Sequence, residues 1–313
     1  MAAIKNQQSS NNLDDKILED QNKPIKRSLI WFFIGTFAWS WAWLTPRILE
    51  TYNIISLPDW VGQIFGGLAI FGPTIIAIII TAINSGGVGV NELLKKMVNI
   101  KFNKIWLIPV FFVPIVVSGS AFLISILAFG YSLEANFYNA GFLVGAVFIG
   151  FFVGGPLGEE LGWRGYALDR IQNKMNAFNS SLLLGAIWSL WHLPLHFIEG
   201  TTQYFIPIWA FFCMNTVSSF LYTWVYNNTN KSVLIAILFH WTSNIGGALL
   251  PFWQLGIING VLPNGTYWPT YGMLIGFAMN LLAVIIVVLV FKPKKLMLDS
   301  QKVEEKIDNA ETS

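Results

Sequence analysis

The stretch Gly154-Gly-Pro-Leu-Gly-Glu159-Glu160-Leu-Gly-Trp-Arg164-Gly165 places two adjacent carboxylates and an arginine at the end of an uncharged run, 135–158. A run of this length can cross the hydrocarbon core, which takes about 20 apolar residues in a helix. Ionisable groups next to such a span are costly, so their presence favours a functional role. We therefore interpret this stretch as the centre of a membrane protein.

The composition also indicates a membrane protein. Of 313 residues, 54% are hydrophobic and only 12% are charged, and the mean hydropathy is +0.56. Soluble domains carry about 25% charged residues. The net charge is +2, and we expect no nucleic-acid partner. Cys213 is the lone cysteine, so no disulfide can form within one chain.

Stretches without Asp, Glu, Lys or Arg, here called uncharged gaps, locate the membrane spans. Besides 135–158 they are 28–46, 60–91, 105–133, 175–198, 200–230 and 232–291. The last gap contains a central cluster of Pro and Gly, which splits it into two helices. The pattern predicts an all-α membrane bundle of about eight transmembrane helices over 28–291. A disordered tail, 1–27, precedes the bundle, and a charged tail, 292–313, predicted to be disordered, follows it.

The distribution of Lys and Arg orients this bundle. With eight spans both termini lie on one side, and of the 19 Lys and Arg residues only Arg47 falls on the other side. The positive-inside rule then predicts cytoplasmic termini, with 47–59 and 251–269 outside. We expect a multi-pass protein of the cell membrane, in contact with the bilayer.

Glu159 and Glu160 are about 100° apart around a helix, so they cannot share one face. Arg164 lies four residues after Glu160 and hence on its face, which predicts an ion pair and leaves Glu159 for chemistry. In the alternative, both carboxylates sit at the cytoplasmic interface and pair with Arg164 and Arg170.

His192 and His196 are four residues apart, with Pro194 between them. Proline removes a backbone donor and opens a helix, and broken helices at membrane depth usually line a cavity. Histidine is well suited to proton transfer near neutral pH. The alternative for either histidine is a hydrogen-bonded packing group between helices.

His240 and Asn244 are again four residues apart, on one face of a later span. A carboxylate can take a proton from water, while histidine and asparagine can donate to an oxyanion, which together would hydrolyse a peptide bond. Ser189 and Cys213 have no nucleophile motif around them. The same groups could instead hold zinc, because three protein ligands plus water is a catalytic pattern, although the motif H-E-x-x-H is absent.

Polar residues elsewhere in the spans suggest packing. Asn215 and Ser218 are expected to bond across helices. The last span, 271–291, has Asn280 as its only amide and is interpreted as scaffold.

Three motifs resemble those of one protein family. They are Glu159-Glu160-Leu-Gly-Trp-Arg164, Trp188-Ser-Leu-Trp-His192 and His240-Trp-Thr-Ser-Asn244. In apolar spans, such motifs are similar to those of the type II CAAX prenyl endopeptidase and bacteriocin-processing (CPBP, or Abi) family of intramembrane proteases. Their patterns are E-E-x-x-x-R, aromatic-x-x-x-H and H-x-x-x-N. The resemblance covers about residues 135–250. The family usually has phenylalanine where this chain has Trp188.

The resemblance implies a role for each motif residue. Glu159 would activate water with His192 nearby, and His240 and Asn244 would stabilise the oxyanion. Glu160 and Arg164 would support the site, together with His196. We place Trp188 and Trp191 along the substrate groove. Zinc or another divalent metal, if used, would be held by Glu159, His192 and His240.

The predicted function is therefore that of an intramembrane (metallo)endopeptidase of the CAAX prenyl protease 2-like type. Its partner would be a membrane-embedded or lipidated peptide substrate. Two alternatives remain. One is a non-catalytic bacteriocin-immunity or partner-binding membrane protein on the same fold. The other is a small-solute transporter, which would predict inverted repeats that the sequence does not show.

Overall fold

The computed structural model describes residues 2–129, 147, 150–151, 155–249 and 271–297, with side chains from Arg27 onward. These residues form helices and connecting turns, without strands. The α-helices are α1 (Ala2–Thr51), α2 (Asp59–Ile70), α3 (Gly72–Lys95), α4 (Leu107–Phe129), α5 (Pro156–Glu160), α6 (Asp169–Gln172), α7 (Ala177–Trp191), α8 (Ile208–Asn227), α9 (Val233–Leu249) and α10 (Tyr271–Phe291). A π-helical segment, Leu161–Leu168, joins α5 to α6.

Five of these helical stretches are long and apolar enough to cross a membrane. They are Arg27–Thr51, Gly72–Val98, Lys104–Ala128, Ile208–Asn227 and Gly272–Phe291, and Val233–Gly247 is a shorter apolar helix. The all-α, multi-pass class is thus confirmed. The count of eight and the cytoplasmic placement of the termini stay predictions, and most of the span predicted at 135–158 lies outside the described residues.

Two parts of the span pattern differ from the prediction. The gap 60–91 is not one helix, because α2 ends at Ile70 and α3 starts at Gly72, with Pro73 in its first turn. Proline is well placed in a first turn, where its missing N–H is not needed. The first helix, α1, also begins before the predicted span, at Ala2 instead of residue 28, and the disorder expected of 1–27 stays a prediction. Extending a formed helix is less costly than nucleating one.

The π segment lies at the centre of the bundle, and all eight of its residues are buried. The Trp163 and Tyr166 rings pack on Phe32 of α1, with centroids 5.7 and 4.9 Å apart. A Cβ on Gly162 would stand 2.5 Å from the carbonyl carbon of Pro73. Only glycine therefore lets this segment approach α3 so closely.

The residues that directly follow α10 return across the ends of two other helices, and most of the tail predicted to be disordered, 298–313, lies outside the described residues. The carbonyls of Pro293 and Lys294 accept from Phe178 N and Ala177 N, at 3.0 and 2.9 Å. These are first-turn amides of α7, which have no partner within their own helix. Asn227 Nδ2 donates to the Lys295 carbonyl (2.9 Å), so α8 is attached to the same segment.

Candidate active site

Two side chains of the site contact the carboxylate of Glu160. Arg164 Nη1 donates to its Oε1 at 2.8 Å, and both side chains are 0% exposed. His240 Nδ1 lies 2.8 Å from the same oxygen. The structure thus contains the expected Glu160–Arg164 pair. Arg170 instead donates to the carbonyl of Tyr166, so the alternative arrangement with two interfacial carboxylates is not what forms.

The Arg164 guanidinium lies between two aromatic rings. Its Cζ is 4.4 Å from the Trp188 ring centroid and 4.2 Å from that of Tyr222. A cation over an aromatic face is attracted by the ring quadrupole, more strongly when both are out of water. Arg164 is therefore held by one carboxylate and two rings. Tyr222, on α8, was missed by sequence reasoning because no motif surrounds it.

Glu159 points away from Glu160, as their angular separation requires. It is 4% exposed, and its Oε2 accepts from Trp188 Nε1 at 2.6 Å. Gly155, which precedes α5, has φ +106°, and a Cβ there would overlap Glu159 Oε1 and stand 3.5 Å from His240 Cε1. The glycine therefore makes room for the carboxylate beside His240.

The helix that carries Trp188 and leads into His192 ends just before Pro194, as the proline predicted. α7 ends at Trp191, and Pro194 lies in the 3-10 turn Leu193–Phe197. His192, at the junction, has Nδ1 2.8 Å from the Trp188 carbonyl. A carbonyl only accepts, so Nδ1 carries the proton and neutral His192 keeps Nε2 free of its proton.

His196 and Trp191 do not line the cavity beside the other predicted residues. His196 Nδ1 is 3.0 Å from the Ile206 carbonyl. Trp191 is buried against His192 and Trp163, with ring centroids at 4.8 and 5.7 Å. Trp191 is not among the residues that line the cavity described next, and its placement along a substrate groove stays a prediction.

A cavity of about 440 Å³ adjoins the cluster. Four predicted residues line it, namely Trp188, His192, His240 and Asn244. Glu159 does not line it, and lies behind Trp188. The lining also includes Tyr222, Asn215, Ser218 and Asn280. The volume falls within the range of ligand sites, about 300–1,000 Å³.

The predicted metal ligands do not converge. Within the described ranges, no three His, Cys, Asp or Glu side chains are grouped so that they could hold one ion. Glu159 is bonded to Trp188, while His240 is bonded to Glu160. The set Glu159, His192 and His240 therefore does not fit a metal in this arrangement, and a divalent metal stays a prediction.

The fold and site together define a polytopic helical membrane protein with buried ionisable groups beside one cavity. The family model for type II CAAX prenyl endopeptidase Rce1-like proteins matches residues 141–246, which include all three motifs. The chain is 30% identical over 243 residues to the CAAX prenyl protease 2 of Methanococcus maripaludis, covering 71% of this chain and 85% of that protein. The chain belongs to the type II CAAX prenyl endopeptidase family.

Proposed function

We propose that the protein is an intramembrane endopeptidase that hydrolyses a peptide bond of a membrane-embedded or lipidated substrate with water activated by Glu159. Family membership supports a CAAX-protease-like membrane endopeptidase. The observation that supports the chemistry is that Glu159 lies beside His240, which is hydrogen-bonded to Glu160 and lines the cavity.

Glu159 is the proposed base. One of its oxygens is occupied by the indole N–H of Trp188, which fixes the carboxylate and leaves Oε1 for water. The water gives its proton to Glu159 as its oxygen attacks the substrate carbonyl carbon.

The oxyanion would form next to α9. His240 and Asn244 lie one turn apart and both line the cavity. Asn244 offers amide N–H donors. Glu160 holds His240 at Nδ1, so Nε2 is the nitrogen available to substrate, and it donates when protonated. Arg164, held by the Trp188 and Tyr222 rings, keeps Glu160 in place.

His192 is the proposed proton carrier for the leaving amine. Its Nδ1 is fixed by the Trp188 carbonyl, so Nε2 is free to exchange a proton in the cavity. Collapse of the intermediate breaks the C–N bond as a proton reaches the amine nitrogen. The amine nitrogen gains one proton in this step, and Glu159 has taken one proton from water, so the protons balance.

The test is cleavage by purified protein in lipid vesicles. The substrate is a fluorogenic farnesylated peptide with a C-terminal Cys-a-a-X sequence, chosen because the relative is a CAAX prenyl protease. The unprenylated peptide is run in parallel. We expect Glu159→Gln to abolish cleavage, because glutamine cannot take a proton at neutral pH.

The matched control is Glu92→Gln, the same chemical change on a side chain that is 64% exposed. It should cleave like wild type. Near-full turnover in Glu159→Gln would remove Glu159 from the role of base. Failure of wild type to cleave either peptide would favour the non-catalytic, partner-binding alternative.

A further inference from the structure

We infer that Asn280 on α10 binds the main chain of the substrate peptide by accepting one of its backbone N–H groups. This inference rests on the proposed function. Asn280 belongs to none of the three motifs, and the sequence favoured a scaffold role for its helix. It lines the same cavity as His192 and His240.

The hydrogen bonds around Asn280 fix the orientation of its amide. Ser218 Oγ donates to the Met214 carbonyl at 2.9 Å, so its proton is already used. Asn280 Nδ2 donates to that hydroxyl oxygen. The reverse orientation would place a carbonyl oxygen against a hydroxyl whose proton points elsewhere. The nitrogen of the amide therefore faces Ser218, and its oxygen faces elsewhere.

That oxygen, Asn280 Oδ1, is buried and has no donor among the described residues. The side chain as a whole is only 8% exposed. Buried polar atoms are nearly always paired, and an unpaired one is destabilising. Because Asn280 lines the cavity, this unpaired oxygen points to a partner that arrives from outside the chain and brings an N–H group.

The rest of the lining fits a peptide backbone. Of the described residues around the cavity, none is Asp, Glu, Lys or Arg, and the polar ones are mostly amides and hydroxyls. An extended peptide presents one N–H and one carbonyl per residue, which are neutral groups of matching kind. Gly276, one turn before Asn280, also lines the cavity and has no side chain to occupy the space.

The experiment pairs a protein change with a substrate change. Peptide binding is measured by fluorescence anisotropy in nanodiscs, on the Glu159→Gln background, so that the readout does not depend on turnover. The peptide is methylated at one backbone nitrogen at a time. Asn280→Leu removes the acceptor at nearly constant volume, and the two changes form a thermodynamic cycle.

We expect Asn280→Leu to weaken binding by about 3- to 10-fold, the size of one ordinary hydrogen bond. One N-methyl position should weaken binding similarly in the Asn280 protein and have no further effect in Asn280→Leu. In the active protein, KM should rise by the same factor with kcat nearly unchanged. The melting temperature of Asn280→Leu should stay close to that of its parent, because the loss of the bond to Ser218 is offset by the removal of a buried unpaired oxygen.

Ser218→Ala is the matched control, since it breaks the Asn280–Ser218 bond but keeps the carbonyl oxygen. It should change affinity less than Asn280→Leu does. Two results would overturn the inference. One is equal affinity of the parent and Asn280→Leu, and the other is that no N-methyl position is coupled to Asn280. If the wild-type protein bound the peptide but did not cleave it, that result would count against the proposed function and not against the role of Asn280.

Discussion

Glu159→Gln and Glu160→Gln are the same chemical change at neighbouring positions, yet the structure predicts different effects on stability. Glu160 Oε1 takes both Arg164 and His240 at 2.8 Å, with Glu160 and Arg164 0% exposed. Neutralising Glu160 leaves Arg164 charged and buried without its counterion. Removing one partner of a buried ion pair costs about 3–5 kcal/mol.

Among the described residues, one side chain donates to Glu159, the Trp188 indole at 2.6 Å. A glutamine oxygen can still accept that bond, so we expect a loss of about 1 kcal/mol or less. Both variants should lose turnover, because one removes the base and the other releases His240. Only Glu160→Gln should be markedly less stable. Its unfolding free energy should lie below that of Glu159→Gln by about 2 kcal/mol or more.

The measurement is the unfolding free energy in mixed micelles, followed by tryptophan fluorescence, beside turnover of the same preparations. A rescue sharpens it. Arg164→Met on the Glu160→Gln background removes the stranded charge and should recover much of the lost stability, although not activity. Equal stability of the two Glu→Gln variants, or a double variant weaker than Glu160→Gln alone, would refute the assigned roles.

Three further variants test other parts of the site and fold. Asn244→Ala should lower kcat by on the order of 10²–10³ with little change in KM, as for other single oxyanion donors, and unchanged steady-state kinetics would leave it a packing amide. Tyr222→Leu should lose about 2 kcal/mol of unfolding free energy with the ring over Arg164, whereas Tyr222→Phe keeps the ring and should lose less. Thermal unfolding of both variants decides this, and equal losses would argue against the cation–π contact. Gly162→Ala should fold poorly or not at all in a detergent-extraction assay, since its Cβ would stand 2.5 Å from the Pro73 carbonyl carbon, and normal yield would contradict that close approach.

Features set by neighbouring residues could be predicted from the sequence. The Glu160–Arg164 pair follows from a four-residue spacing on one helix face. The opening of α7 follows from Pro194. In both cases the determining groups lie within one turn of each other, so no knowledge of the tertiary fold is needed.

Features set by contacts between distant helices could not be predicted in this way. Tyr222 and Asn280 lie in apolar spans, where a packing residue and a cavity residue look alike. The contact between the Trp191 and His192 rings was not predicted for the same reason, because only the fold shows how residues at the end of α7 pack. The break between α2 and α3 was missed because the spans were located by the positions of charged residues. No charged residue lies near Phe71, where the break occurs.

The docking of residues 293–296 also bears on biosynthesis. A chain is made from its N-terminus, so α7 is synthesised long before the carbonyls of Pro293 and Lys294 that complete its first turn. Until then, two amides at the start of the helix that carries Trp188 lack these partners. A nascent or prematurely terminated chain that ends at Phe291 therefore has an incompletely capped α7, and the cap forms only after Pro293 and Lys294 have been synthesised.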